Sequence, residues 1–270
     1  MEPKSVDVAV GPGALQMKTF ICWHWRQPRW ANTYRTEHVN ALARMLQVHA
    51  TDYRLVCITD ARNLSEYECE THPLWRDKRL VVKTRSGHPN CYQRLKLFDT
   101  DVQKIFGDDL VSIDLDCLIL DNIDGLFADN DLFRICKGAA APYNGSMWRV
   151  RAGVHQEVYD HFDPLSSPGE AGQQRGDNGK KYYGSDQAWM SYKIKGARLW
   201  TTEDGVYQFN NHLKDKKRSK EDDRGPKGPP KNAKIIFFAG LLKPWMMDMM
   251  KKHPWIHDRY LKFMVRRDGN

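Results

Sequence analysis

The stretch Val111-Ser112-Ile113-Asp114-Leu115-Asp116-Cys117-Leu118-Ile119-Leu120 decides how the chain is read. It is an apolar run of strand character, interrupted by two carboxylates two residues apart. In a strand, residues i and i+2 face one side. Asp114 and Asp116 are therefore expected to point together, with Val111, Ile113, Leu115, Cys117 and Ile119 on the opposite face. Two carboxylates in apolar surroundings repel each other and resist ionisation. A divalent cation relieves both effects, and Asp oxygens suit Mg²⁺ or Mn²⁺, which keep positions for water and phosphate. The alternative is a strand that emerges into solvent, where aspartate is tolerated without a partner.

The flanking sequence sets this run in an α/β pattern. Thr19 to Trp25 reads as a strand, and Val39, Leu42, Ala43, Leu46 and Val48 mark an amphipathic helix capped by Thr33 or Thr36. Tyr53 to Asp60 reads as a second strand, so strand, helix and strand form a parallel βαβ unit. A short strand is expected at Arg79–Val82 and a helix over Tyr92–Phe106, with Leu95, Phe98, Val102 and Ile105 on one face. After the Asp114/Asp116 run come strands at Phe133–Cys136 and Tyr143–Val150, then a short helix to about Phe162. Residues 164–183 and 212–233 are rich in Gly and Pro and read as mobile loops. Ser185 caps a helix to Ile194, Ile235–Phe238 is a last strand, and a Met-rich helix closes the chain. The expectation is one α/β domain over residues 1–270, with a mostly parallel central sheet flanked by helices and an elaborated C-terminal half.

Composition narrows the class. With 41% hydrophobic and 28% charged residues the chain reads as globular rather than disordered. No window of 18 consecutive apolar residues indicates a transmembrane segment. The N-terminal residues lack a signal-peptide pattern, so a cytoplasmic location is expected. Six cysteines without a C-x-x-C pair suit buried thiols in a reducing compartment, and neither Cys22 with His24 nor Cys69 with His72 has a second pair to complete a zinc site. The net charge is +8, but nine Lys/Arg and four Asp/Glu between Lys214 and Lys234 carry +5 of it, leaving +3 for the rest.

Several segments, in order, resemble the glycogenin-like and galactosyltransferase-like nucleotide-sugar glycosyltransferases of the GT-A fold. The carboxylate pair is followed by Asn122-Ile123-Asp124-Gly125-Leu126-Phe127, similar to the family's N-I-D-x-L-F. Tyr34 and its helix, Arg94-Leu95, Tyr143-Asn144-Gly145-Ser146, Ser185-Asp186-Gln187 and Gly240-Leu241-Leu242-Lys243-Pro244-Trp245 match further family segments. The resemblance implies a Rossmann-like GT-A fold, a nucleoside diphosphate sugar donor, UDP-sugar by preference, and a Mn²⁺ or Mg²⁺ ion on Asp114 and Asp116. It implies donor contacts from Tyr34, Arg94, Asp114, Asn144, Gly240 and Lys243, and roles near the reacting carbon for Asp186 and Gln187. Asp186 would orient the sugar or act as base, and the resemblance favours retention at the anomeric carbon. Asp60 is expected to contact the donor's base or ribose, because it stands at the C-terminal end of a parallel strand, where α/β sheets bind ligands. Trp189 and Trp245 read as packing residues. One departure is sharp. The family's closing strand carries a metal-binding His, and here Phe237 and Ala239 occupy the two positions where it occurs.

For the acceptor the cues are the basic segment 214–234 and the run Trp23-His24-Trp25-Arg26-Gln27-Pro28-Arg29-Trp30. Basic residues interleaved with aromatics suit a polyanion with stackable bases. The expected acceptor is a hydroxymethylated pyrimidine in DNA, flipped out to reach the pocket. The same charges suit a polysaccharide or lipid-linked acceptor at an anionic membrane. The missing His leaves a third reading, a nucleotide-sugar or nucleic-acid binding module without catalysis.

Overall fold

The computed structural model describes residues 17–26, 34–82, 90–139, 141–182, 186–214 and 228–265. Ten strands and seven helices are found among them. The strands are β1 (Lys18–His24), β2 (Tyr53–Thr59), β3 (Glu70–Pro73), β4 (Asp109–Ile113), β5 (Cys117–Ile119), β6 (Phe133–Lys137), β7 (Tyr143–Arg151), β8 (Arg198–Trp200), β9 (Val206–Gln208) and β10 (Ile235–Phe237). The helices are α1 (Thr36–His49), α2 (Thr100–Phe106), α3 (Glu157–Asp160), α4 (Ser167–Gln173), α5 (Asp186–Lys193), α6 (Met247–Lys252) and α7 (Pro254–Met264). Seven strands form one sheet in the order β3-β2-β1-β4-β7-β6-β8, and β5-β10-β9 form a second. Only β7 runs against its neighbours in the large sheet. No described helix is long and apolar enough to cross a membrane.

Strand alternation divides the core in two. Phe20, Cys22, Leu55, Cys57, Val111 and Ile113 enter one cluster with α1, the small sheet and α7. Ile21, Trp23, Val56, Ile58 and Leu110 enter the other, with residues of the 3-10 segment Cys91–Phe98, α2 and α5. This is the period-2 pattern of strands buried on both faces. The chain leaves β1 through α1 to reach β2 on one side, and β4 adds to the other side of β1. The order therefore reverses between β1 and β4, which makes their C-terminal ends the place where a ligand fits an open α/β sheet.

Several expectations need correction. The run from Val111 to Leu120 is not one strand. It is β4 in the large sheet, a turn at 114–116, and β5 in the small one. The apolar expectation still holds, since Val111, Ile113, Leu115, Cys117 and Ile119 all enter one core. Arg79–Val82 forms no strand; Asp77 caps a 3-10 turn at Lys78–Leu80, with Leu80 buried and Val81 at 55% exposure. One anchored side chain does not make an alternating face, and the strand lies earlier, in the polar Glu70–Pro73. The helix expected over Tyr92–Phe106 is divided at Asp99, whose carboxylate accepts from the Asp101 amide and starts α2 afresh, leaving Ile105 exposed. In α1, Arg35 is the N-cap and Thr36 the first helical residue, while Val48 is exposed; Thr33 lies outside the described residues. Residues 164–183, expected as loop, hold α4 and a bridge between Arg175 and Lys181. The Met-rich end is two helices because Pro254 can open a helix but not continue one. Ser185 and residues 215–227 lie outside the described residues.

The first turn of α1 is pinned by one histidine. His38 accepts from the Arg35 amide at 2.8 Å and stacks on Trp245 with 3.9 Å between ring centroids. Burial pushes its imidazole down to about 4, and the Arg35 charge adds to the effect. Unfolded, the ring protonates near 6.5; folded, it resists protonation until about pH 4. Its contribution is therefore whole above pH 6.5 and is lost as pH falls from 6.5 to 4, a change of up to about 3 kcal/mol. Urea unfolding of wild type and His38→Phe should show it: between pH 7 and 4.5 the wild type loses about 2–3 kcal/mol more than the variant. Parallel losses in the two proteins would remove His38 as the cause.

Candidate active site

Asp114, Leu115 and Asp116 form the turn between the two sheets, at the C-terminal end of β4. Leu115 plugs the core at 3% exposure. The two carboxylates are drawn to different partners. Asp114 Oδ1 accepts from Arg94 Nη1 at 2.5 Å, and Arg94 Nε donates to Asp186 Oδ2 at 2.7 Å. Arg94 thus links the 3-10 segment Cys91–Phe98 to the carboxylate turn and to the first residue of α5. Asp116 Oδ2 accepts from Lys243 Nζ and from the Tyr34 hydroxyl at 3.1 Å. Lys243 Nζ also donates to the Phe238 carbonyl at 3.0 Å and lies 5.4 Å from the Tyr34 ring centroid. The Phe238 amide in turn donates to the Asp116 carbonyl at 2.8 Å. The end of β10 therefore fixes the lysine and the aspartate to each other.

The electrostatics follow from this crowding. Burial pushes the Asp114 carboxyl up to about 7; Arg94 opposes the rise, and Asp116 and Asp186 add to it. Its side chain keeps 30% exposure, and water at that edge softens the effect. Tyr34 is held far above the ordinary phenol range by burial and by the Asp116 and Asp114 charges, so it remains a hydrogen-bond donor.

A bulge brings β7 into the site. Cys136 pairs with Asn144, yet Ile135 pairs with Trp148, so residues 145–147 leave the β6 ladder. There the Asp114 amide donates to the Ser146 carbonyl at 2.8 Å, the Ser146 amide to Asn144 Oδ1 at 3.0 Å, and the Gly145 amide to Gln187 Oε1 at 3.2 Å. A Cβ on Gly145 would stand 2.7 Å from Arg94 Nη2 and 3.5 Å from Asp186 Oδ2. A guanidinium held by two carboxylates has little freedom to yield. Gly145→Ala should therefore shift Arg94, with a stability loss of about 1–3 kcal/mol. Thermal unfolding of the variant beside wild type checks it.

Other expected residues stand nearby. Asp60 is exposed at the end of β2, two strands or about 10 Å from β4, and accepts from the Arg26 amide at 3.1 Å. Gly240 has φ +90° and opens the loop that carries Lys243. Asp186 is 1% exposed behind Arg94 and Gly145, and the half-buried Gln187 holds the Gly145 amide. Trp245 packs against His38, Tyr34 and Tyr260, and Trp189 is 1% exposed with its indole donating to the Val158 carbonyl, so both are packing residues as expected. At the C-terminal ends of β6 and β8, on the same rim, a cavity of about 370 Å³ is lined by Lys137, Trp200, Thr201, Gln208 and Asn211.

The donor set does not complete a metal centre. Phe237 is fully buried opposite Cys117 and Ala239 is exposed, so neither supplies a ligand. Among the described residues, no three His, Cys, Asp or Glu side chains converge as metal ligands. Each aspartate of the pair is instead engaged by a cationic side chain.

The same arrangement of sheets recurs in solved structures. The galactosyltransferase LgtC, in complex with donor and acceptor sugar analogues, is similar over 91% of this chain and 95% of that one, at 11% identity and a TM-score of 0.56. The chain has a GT-A glycosyltransferase fold. Two more GT-A structures are similar to it. The bifunctional glycosyltransferase WbbM matches over 96% of this chain and 51% of that one, at 13% identity and a TM-score of 0.58. The glycosyltransferase GlyE of Streptococcus pneumoniae TIGR4 matches over 92% and 62%, at 8% identity and a TM-score of 0.55. No protein-family model and no curated protein matches the chain. The likeness is therefore one of GT-A fold.

Sequence reasoning missed two parts of the site. The Phe238 carbonyl is backbone and has no residue-type signal. Gly145 was visible only as a member of its segment, because the need for a missing Cβ arises from Arg94, 51 positions away.

Proposed function

We propose that the protein transfers a hexose from a nucleoside diphosphate sugar, of the UDP type, to a hydroxyl acceptor. The observation that carries this reading is the pairing of Arg94 and Lys243 with Asp114 and Asp116 at the switch point of a GT-A sheet. Sugar transfer breaks the bond between the anomeric carbon and a diphosphate oxygen and forms one to the acceptor oxygen; the departing diphosphate gains negative charge and takes up the proton that the acceptor hydroxyl loses. Preorganised cations around that group are what the step requires. In this reading Tyr34 and Asp60 contact the nucleoside. Asp186 and Gln187 act through Arg94 and Gly145, and so serve as positioning residues rather than as the base.

For the acceptor, support comes from charge. The +5 segment 214–234 favours a polyanion, and the reading we adopt is a hydroxymethylated pyrimidine in DNA. A donor and acceptor screen by mass spectrometry tests the whole. Nucleotide release from a sugar donor, with sugar mass added to hydroxymethylated duplex and not to unmodified duplex, is the expected result. Sugar found only in lipid or polysaccharide fractions would move the acceptor to those classes. No nucleotide release from any donor would leave a binding module.

A further inference from the structure

We propose that the Lys243 ammonium, and not a divalent cation, is the positive charge that Asp116 presents to the donor diphosphate. The inference rests on the glycosyltransferase reading and narrows it to a metal-independent site. Three observations carry it.

The first is ligand count. The carboxylate turn offers Asp114 and Asp116, and the positions from which a third ligand would come are a core phenylalanine, Phe237, and an exposed alanine, Ala239. The second is occupancy by charge. Asp116 Oδ2 already holds an ammonium and a phenol hydrogen, and Asp114 Oδ1 holds a guanidinium. A divalent ion on this pair would have to displace Lys243 or stand beside it, adding two positive charges next to one. The third is fixation. Lys243 is 4% exposed and bonded to the Phe238 carbonyl, whose own amide is bonded to the Asp116 backbone. The ammonium is thus held in place by β10 as well as by the carboxylate. Among the described residues Asp116 and Phe238 take two of its three N–H donors, and the proposal assigns the third to a phosphate oxygen. A lysine is a strongly hydrated point charge well suited to phosphate. Arg94, on the other side of the turn, supplies the second fixed cation.

The test is UDP binding by titration calorimetry, in EDTA and in millimolar Mn²⁺. We expect the dissociation constant to differ by less than threefold between the two. Lys243→Gln should weaken binding about tenfold or more in both, and Mn²⁺ should not rescue it. Circular dichroism guards against an unfolded variant, and Lys243→Arg, which keeps the charge, should bind better than Lys243→Gln. In a separate measurement, the electron paramagnetic resonance signal of free Mn²⁺ should be undiminished by excess protein without nucleotide. Tightening of UDP binding tenfold or more by Mn²⁺, or depletion of the free signal by wild type but not by Asp116→Asn, would overturn the inference and leave the glycosyltransferase reading standing. Absence of UDP binding under either condition would remove both.

Discussion

Arg94→Gln is expected to lower sugar transfer by about 10²–10³-fold and to lower stability by about 3–5 kcal/mol. Both effects come from one guanidinium. It is 7% exposed and bridges Asp186, at 2% side-chain exposure, to Asp114 at 30%. Glutamine keeps much of the volume but no charge, so the Asp186 carboxylate loses its cation in a place that water barely reaches. Breaking a buried pair from one side is far more damaging than replacing both partners. On the proposed sugar transfer the catalytic loss has a separate origin: the donor diphosphate would meet one fixed positive charge fewer. Arg94→Lys separates the two, because it restores charge without the planar fork that serves two carboxylates at once. Denaturant unfolding and turnover on the three proteins check this. Equal turnover in wild type and Arg94→Gln would take the residue out of the donor site.

Arg149→Met should match that stability loss, at about 3–5 kcal/mol, while turnover per folded molecule stays unchanged. Arg149 is 1% exposed on β7. Its Nε and Nη2 reach both Asp109 oxygens at 2.7 and 2.8 Å, and its Nη1 reaches the Asp129 carbonyl at 3.0 Å. Asp109 opens β4 at 2% exposure, at the end of the strand away from the Asp114–Asp116 turn. The network ties β4 to β7 and has no part in the chemistry. Adding Asp109→Leu to Arg149→Met should recover part of the loss, since a well-packed apolar pair can replace a buried ionic one. Thermal unfolding of the single and double variants decides it, and the single variant should melt roughly 10 °C lower.

Much of the fold was legible because strands buried on both faces announce themselves in apolar alternation. Phe20 to Trp23, Leu55 to Ile58 and Leu110 to Ile113 divide between two cores as their spacing requires. The polar strand Glu70–Pro73 was not legible, since it sits at the edge of the sheet and needs only one paired neighbour. Asp116 was read from the strand pattern and Tyr34, Arg94 and Lys243 from segment resemblance, and the structure brings them to one turn. Which cation meets which carboxylate could not be read, because Arg94 and Asp186 are 92 positions apart, and Lys243 and Asp116 are 127 apart. Local sequence carries no information on such pairings. Equally hidden was the half-buried cluster in which Lys96 pairs with Asp77 and Asp99 and bonds to the Tyr159 hydroxyl.

The turn between β4 and β5 gives the spacing of the two aspartates a mechanical meaning. On one side the chain is in register with β1 and β7, and on the other with β10. Leu115, between the carboxylates, is the bolt that seats the crossing in the core. One residue more or fewer would rotate every side chain of one sheet relative to the other. The separation of the two aspartates is therefore set by the crossing itself, and their identity by the buried cations that each one meets.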